Sequence, residues 1–141
     1  MRWHPGENDM RRDGGFTMVE LLTIMALIVT LAAILMPRYW LAIDRSRATA
    51  CMGNLRNIAN ALHVYANDYE GRFPSALEKL IPDYLSSIPT CPATQTDTYT
   101  SGYEVNDNNT FFTQCCKGKN HPTVGYGEDE PYYIFDRGLG P

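Results

Sequence analysis

The sequence GGFTMVELLTIMALIVTLAAILMP, at residues 14–37, decides the fold of this chain. Its apolar run, residues 16–36, contains 21 residues and a single charge, that of Glu20. At a helical rise of about 1.5 Å per residue this run is ~30 Å long, which is the thickness of a bilayer core. We therefore predict a transmembrane helix. The carboxylate near its start needs a partner, because a charge at hydrocarbon depth is costly.

Residues 38–69 keep a helical period but become amphipathic. Their apolar positions are three and four residues apart, which places them on one stripe of a helix. Between Pro37 and Tyr69 the only glycine or proline is Gly53, so we predict one continuous helix from the span into this segment. Gly71 follows the last periodic residue and predicts the helix end. The predicted stripe consists of Ala48, Cys51, Leu55, Ile58, Leu62, Tyr65 and Tyr69.

The remaining residues, 71–141, predict a small head. Ser75 and Glu78 have the spacing of a capping box for a short helix. A sheet this small does not bury a core by itself, so it needs the apolar stripe of the long helix as its second layer. The predicted strands are residues 98–105, 110–117 and 131–136, with a turn at residues 106–109 and a loose end at residues 137–141.

The predicted fold class is therefore α+β. A long N-terminal helix, transmembrane in its first half and amphipathic in its second, packs on a small antiparallel sheet. The net charge of −4 lies wholly in residues 71–141, which hold five Lys or Arg against nine Asp or Glu. This balance argues against non-specific nucleic-acid binding, and we expect no nucleic-acid partner. The sequence contains no nucleophile elbow, phosphate loop or His-Glu metal motif, so we expect no enzymatic activity.

The string GGFTMVELL resembles the N-terminal signature of type IV pilins and type II secretion pseudopilins. Gly15 precedes Phe16, Glu20 is the fifth residue counted from Phe16, and an apolar run leads to Pro37. The resemblance implies a leader at residues 1–15 that a membrane-embedded prepilin peptidase removes between Gly15 and Phe16. It also implies N-methylation of the new Phe16 amine and a pilin-like fold.

The same resemblance implies a division of the chain after the leader. Residues 16–37 are the transmembrane and filament-core helix, residues 38–70 are its amphipathic continuation, and residues 71–141 are the extracytoplasmic head. In the family, a proline near Pro37 accompanies local loosening of the helix. Pro37 removes one helical hydrogen bond and so predicts a kink, and the alternative is that it marks the membrane exit.

Cleavage after Gly15 would give the carboxylate of Glu20 a partner. The new Phe16 amine lies one turn from Glu20 and is mostly protonated at neutral pH. A pair at ~4 Å returns about 4 kcal/mol at an effective dielectric constant of ~20. In the family this pairing joins neighbouring subunits and serves assembly. The alternative is an interfacial residue whose carboxylate reaches water.

The four cysteines suggest disulfides if the head lies outside the cytoplasm, and three pairings are possible. Cys115 and Cys116 are adjacent in a predicted strand and therefore point to opposite faces. One of them should meet Cys91, and we favour the pair Cys91–Cys116. Cys51 lies on the apolar stripe, where it could reach Cys115 or remain a buried thiol.

Two segments have residues that suit a metal, but neither has a complete motif. Residues 115–121, CCKGKNH, offer thiols and the imidazole of His121 to zinc, although the usual paired spacing is missing. Residues 127–131, GEDEP, with Asp136 offer oxygens to calcium, and the alternative is a solvated acidic loop. We expect no metal ligand and no cofactor.

The resemblance implies a structural subunit, a pseudopilin of a type II secretion system that supports protein secretion by assembling a pseudopilus. One alternative is a type IV pilus pilin, major or minor, for adhesion, motility or DNA uptake. Another is a membrane-anchored binding module that does not polymerise, and a third is a tethered metalloenzyme that uses His121 and the thiols.

The resemblance also implies the partners and the location of the chain. The implied partners are the prepilin peptidase, copies of the chain and other pilins or pseudopilins, the inner-membrane assembly platform and membrane lipid. The implied location is the bacterial inner membrane, crossed once, with the head outside the cytoplasm. After assembly the chain would lie in a periplasmic pseudopilus or at the cell surface.

Overall fold

The computed structural model describes residues 15–140 of the 141-residue chain. A long helix, α1, occupies Met18–Asp68 and is followed by a four-stranded antiparallel sheet. The predicted α+β class is confirmed. The strands are β1 (Tyr103–Val105), β2 (Phe112–Cys115), β3 (Tyr132–Ile134) and β4 (Gly138–Gly140), and short 3-10 helices lie at Leu77–Leu80, Thr100–Gly102 and Pro122–Val124.

Helix α1 is continuous through Pro37, as predicted from the absence of other helix breakers. The chain divides into two compact units at this proline, residues 1–37 and residues 38–141. The kink at Pro37 stays a prediction. The helix ends where Glu70 and Gly71 adopt left-handed backbone angles, with φ of 57° and 81°. The Gly71 amide then donates to the carbonyl oxygen of Ala66 at 2.7 Å, a bond typical of a helix C-terminus.

The core of the second unit lies between the amphipathic part of α1 and the sheet. The predicted stripe is buried at its first five positions, whereas Tyr65 is half-buried and Tyr69 is 50% exposed. Small residues between these positions, such as Ala59 and Ala66, are buried as well. The stripe packs against residues of the head, among them Phe73, Leu77, Leu80, Leu85, Tyr99 and Phe112.

The sheet is a simple meander in which each strand pairs with the next, in the order β1-β2-β3-β4. Phe112 and Gln114 of β2 are fully buried, and the alternate residues Thr113 and Cys115 are only half-buried. The Phe112 ring stacks on Tyr133 of β3 at 5.8 Å between centroids and meets Phe73 edge-on at 4.7 Å. One face of the sheet therefore supplies the aromatic layer that covers the helix stripe.

Three details of the predicted head are wrong. Only the last three of residues 98–105 form a strand. The carboxylate of Asp97 accepts hydrogen bonds from the amides of Tyr99 and Thr100 at 2.9 and 3.0 Å and favours a 3-10 turn before it. The capping box at Ser75 does not form, since the helix at Leu77–Leu80 has no side-chain cap. Residues 138–140 are not loose, because they pair with β3 as strand β4.

We expect truncation of a buried stripe residue to be costly and truncation of an exposed one on the same helix to be nearly neutral. Leu55 is 0% exposed and Val64 is 52% exposed. Leu55→Ala should lower the free energy of unfolding by about 2–5 kcal/mol, because a cavity replaces packed methyl groups. Val64→Ala should change it by less than ~0.5 kcal/mol. Denaturant unfolding of the full chain in detergent, followed by near-ultraviolet circular dichroism, measures both; equal losses would contradict the described core.

Loss of the Asp97 carboxylate should destabilise the turn before β1. Partial burial would raise the pKa of Asp97, but hydrogen bonds from Thr100 and Tyr99 outweigh it and hold the pKa below its usual range. Asp97→Ala should therefore lower the free energy of unfolding by about 1 kcal/mol at neutral pH. Because the pKa is lowered in the folded state, this difference should shrink as the pH falls below about 4. Asp107→Ala, in the turn after β1, is the control, and unfolding curves at several pH values provide the measurement. A difference that persists in acid would contradict the role of the carboxylate.

Candidate functional site

The predicted processing site lies at the start of the described chain. Gly15 and Phe16 precede α1, both are exposed, and the Phe16 side chain is 79% exposed. Residues 1–14, which form nearly all of the predicted leader, lie outside the described residues. Cleavage after Gly15 and methylation of Phe16 stay predictions.

Glu20 forms a capping box with Thr17 at the first turn of α1. The carboxylate oxygen Oε2 of Glu20 accepts hydrogen bonds from the Thr17 amide at 3.0 Å and from the Thr17 hydroxyl at 2.9 Å. The Thr17 hydroxyl oxygen in turn accepts a bond from the Glu20 amide at 3.2 Å. This reciprocal arrangement satisfies two amides that a helix start leaves unpaired.

The capping box adds a second role for Glu20 that the sequence reasoning missed. The spacing Thr17-x-x-Glu20 is the sequence signature of such a box and was available to find it. Within residues 15–140 the hydrogen bonds of the carboxylate use Oε2, so Oε1 has no partner there. The pairing of Glu20 with the Phe16 amine stays a prediction, and the geometry leaves one oxygen for it.

The first part of α1 exposes apolar side chains on every side. Leu22 is 67% exposed and Ile34 is 66% exposed, and none of the most apolar 18-residue window of the helix is buried. Among the residues that the structure describes, α1 is the one helix that is long and apolar enough to cross a membrane. This arrangement fits a membrane-anchored protein.

The four cysteines are free thiols, and three of them lie together. Cys91 and Cys116, the pair predicted to form a disulfide, have their sulfur atoms 3.6 Å apart, and the disulfide stays a prediction. Cys51 is fully buried on the helix stripe beside these two rather than near Cys115. Cys115 is only half-buried and does not belong to the group.

The thiols of Cys51 and Cys116 are electrostatically distinct. Hydrogen bonding to Cys51, helped by Thr98 and Asn120, outweighs burial and lowers the pKa of Cys116 to about 5. The same contact with Cys116, together with burial, raises the pKa of Cys51. The pKa of Cys115 is raised to about 11, mainly by burial. The pKa shifts of Cys51 and Cys116 are therefore opposite in direction.

His121 joins the three buried thiols. Its Nε2 atom lies 3.7 Å from the sulfur of Cys91, and its side chain is 3% exposed. The described part of the chain, residues 15–140, contains one group of three or more potential metal ligands that lie close together. Its members are Cys51, Cys91, Cys116 and His121. The sequence indicates His121 and the thiols of Cys115 and Cys116 as candidate zinc ligands. It does not predict that Cys51 and Cys91 belong to the same potential metal site.

Two carboxylates of the acidic loop considered for calcium accept hydrogen bonds from within the protein. Asp129 accepts bonds from the Lys117 ammonium at 2.8 Å and from the Gly118 amide at 2.7 Å. Glu130 accepts a bond from the Gly127 amide at 2.5 Å. Asp136 lies in the turn between β3 and β4. We propose no calcium site on this loop.

Comparison with known proteins finds one relevant similarity. The chain is 31% identical over 58 residues to the type II secretion system core protein G of Pseudomonas aeruginosa. The match covers 41% of this chain and 41% of that protein, so the chain spans less than half the length of its relative. No family model matches the chain, and no solved structure matches it. This similarity covers a segment of each protein and supports a pilin-like family for the chain.

Proposed function

We propose that this chain is a filament subunit, a pseudopilin of a type II secretion system that supports protein secretion by assembling a pseudopilus. The observation that carries this proposal is the signature at residues 14–20, which is followed by one continuous helix through Pro37. The similarity to a secretion-system core protein favours secretion over a surface pilus. A filament subunit has no reaction to catalyse, which agrees with the expected lack of enzymatic activity.

The exposed first part of α1 explains why such a subunit would assemble. The large apolar side chains of residues 16–36 are 46–86% exposed, and in water each exposed square ångström is unfavourable by about 25 cal/mol, so this segment needs a cover. Lipid supplies the cover in the membrane, and the helices of neighbouring copies supply it in a filament. Transfer between the two environments costs little hydrophobic free energy, because both are apolar. The membrane is then a reservoir of subunits for the assembly platform.

Glu20 would fix the axial position of each subunit along its neighbour, which apolar contacts alone do not fix. A helix covered by apolar side chains can slide along its neighbour with little change in packing energy. A buried carboxylate opposite the methylated Phe16 amine of a neighbouring subunit favours one axial position, because every other position leaves a charge unpaired. The capping box holds the carboxylate at the helix start, and its Oε1 atom remains for this contact.

The proposed topology follows from the proposed assembly. Residues 16–37 cross the inner membrane once, and the unit that begins at Arg38 lies outside the cytoplasm. The prepilin peptidase and the assembly platform are the membrane partners in this proposal, and other pseudopilins are the filament partners. A membrane-anchored binding module that does not polymerise would share the anchor but not the role of Glu20.

Mass spectrometry of the mature chain tests the proposed processing. In cells that contain a prepilin peptidase, we expect the N-terminal peptide to begin at N-methylated Phe16. Gly15→Ala places a methyl group where the protease needs close access to the backbone, and we expect it to reduce cleavage at least tenfold. In a peptidase-deficient strain, the wild-type chain should retain Met1. A mature chain that retains residues 1–15 in the presence of the peptidase would contradict the proposal.

Three variants separate the charge of Glu20 from its capping role. Glu20→Ala removes both, Glu20→Gln keeps a capping side chain without the charge, and Thr17→Ala removes the reciprocal cap but keeps the charge. We expect assembly to fall at least tenfold in both Glu20 variants and to persist in Thr17→Ala. Crosslinked oligomers recovered from cells measure assembly, and the mature N-terminus checks that each variant is processed.

The pattern among these variants decides the role of Glu20. If Glu20→Gln assembles normally while Thr17→Ala fails, the residue serves as a cap and the intersubunit contact is wrong. If all three variants assemble as the wild type does, Glu20 has no assembly role. If the wild type itself forms no crosslinked oligomers, the chain is an anchored module that does not polymerise.

A further inference from the structure

Four separate segments bring three thiols and one imidazole to a single point in the second unit. Cys51 comes from the middle of α1, and Cys91 from the connection that follows the 3-10 helix at Leu77–Leu80. Cys116 directly follows β2, and His121 directly precedes the 3-10 helix at Pro122–Val124. One potential ligand atom from each residue lies within 4.8 Å of all the others, and all four residues are buried.

We propose that this cluster is a structural zinc site with three cysteine ligands and one histidine ligand. Tetrahedral zinc with bonds of about 2.3 Å to sulfur and 2.0–2.1 Å to nitrogen separates two sulfur ligands by about 3.8 Å and a sulfur from a nitrogen by about 3.6 Å. The sulfur atoms of Cys91 and Cys116 lie 3.6 Å apart, and the sulfur of Cys91 lies 3.7 Å from Nε2 of His121. These two separations match a tetrahedral site, and the remaining pairs of ligand atoms lie within 4.8 Å of each other.

The backbone around the ligands is held in place without the metal. The segment that carries Cys91 is closed by two hydrogen bonds, from the Cys91 amide to the carbonyl of Thr96 and from the Gln95 amide back to the carbonyl of Cys91, both at 2.8 Å. The Cys116 amide donates to the carbonyl of Pro131 at 3.0 Å. A site that is held in this way loses little conformational entropy when the ion binds.

Polar groups around the sulfur atoms form the outer layer that thiolate ligands require. The Tyr99 hydroxyl donates to the sulfur of Cys51 at 3.1 Å, and the Asn120 amide donates to the sulfur of Cys116 at 3.1 Å. The Thr98 hydroxyl lies 3.2 Å from the same Cys116 sulfur. Zinc with three thiolates and a neutral imidazole has a net charge of −1, and such donors stabilise that charge in a buried site.

The ligand set also selects the metal and its role. Thiolates are soft ligands that suit zinc and do not suit calcium or magnesium, which prefer oxygen. Four protein ligands complete the tetrahedron and leave no position for water or substrate, which is typical of structural rather than catalytic zinc. The ion would join the helix to three segments of the head, and the tethered metalloenzyme alternative loses its candidate site.

A disulfide between Cys91 and Cys116 is the competing use of these sulfur atoms. Such a bond would leave Cys51 and His121 without a function, although both are buried beside it. Zinc uses all four residues, and it is incompatible with the disulfide because each sulfur must be a thiolate. The two states are therefore exclusive and can be distinguished in one preparation.

Metal analysis of the full-length chain tests the proposal. The protein is purified in detergent without reductant or chelator, and its zinc content is compared with that after exposure to Zn²⁺ and desalting. We expect one zinc per chain in the wild type and background zinc in Cys116→Ser and His121→Ala. Cys115→Ser is the matched control, because its thiol is adjacent to Cys116 but outside the cluster, and it should retain one zinc per chain.

A measurement on the wild type makes the test independent of variant folding. Zinc should protect three thiols from an alkylating reagent and leave Cys115 the most reactive, and a chelator should expose Cys51, Cys91 and Cys116. Replacement by Co²⁺ should produce thiolate-to-cobalt charge-transfer bands and tetrahedral ligand-field bands. A wild-type chain without zinc after exposure to Zn²⁺, a Cys91–Cys116 disulfide in the purified protein, or zinc loss in Cys115→Ser would overturn the proposal. None of these results depends on filament assembly.

Discussion

The contact between one stripe of α1 and the small sheet is the constraint on which the head depends. Four strands of three or four residues do not enclose a core, and a helix with one apolar stripe has nowhere to bury it alone. Each element therefore supplies the layer that the other lacks. Leu55, Ile58 and Leu62 reach 0% exposure in one core cluster with aromatic and aliphatic residues of the head. Before Pro37, the apolar side chains that the structure describes on the same helix are exposed.

This difference along a single helix connects the fold with the proposed function. The backbone is α-helical on both sides of Pro37. Before this proline apolar side chains cover the whole circumference of the helix, and after it they form one stripe. The stripe needs a sheet, whereas the full circumference needs lipid or other copies of the helix. Thr17 and Glu20 lie at the start of the apolar segment, and their capping bonds hold the carboxylate at the first turn of the helix. In the proposed filament this carboxylate would meet the Phe16 amine of a neighbouring copy.

The core between helix and sheet also contains the cluster of buried cysteines, where the proposed metal would hold the loops in place. Cys51 occupies a stripe position where a leucine or an alanine would satisfy the apolar periodicity of the helix equally well. Its neighbours in space are Cys91, Cys116 and His121, whose separations along the chain follow no familiar zinc motif. A metal there would fasten the loops, which have few regular hydrogen bonds, to the most regular element of the head. The proposed zinc site and the proposed filament both use residues of α1, and neither proposal depends on the other.

The sequence by itself determined the features that depend on local order along the chain. The spacing of the apolar residues, the length of the apolar run and the position of Gly71 predicted α1, its buried stripe and its end. These signals are local, because helical geometry repeats within a few residues. The turn at residues 106–109 and the approximate positions of β2 and β3 were predicted in the same way. Two local features were not predicted from these patterns: the Asp97 carboxylate turns the chain before β1, and a short hairpin makes residues 138–140 a strand. Tertiary structure alone decided which cysteines meet, because the folding of the head brings Cys51, Cys91 and Cys116 together with His121. The contacts among these three cysteines join residues far apart in the sequence, and no local pattern contains them.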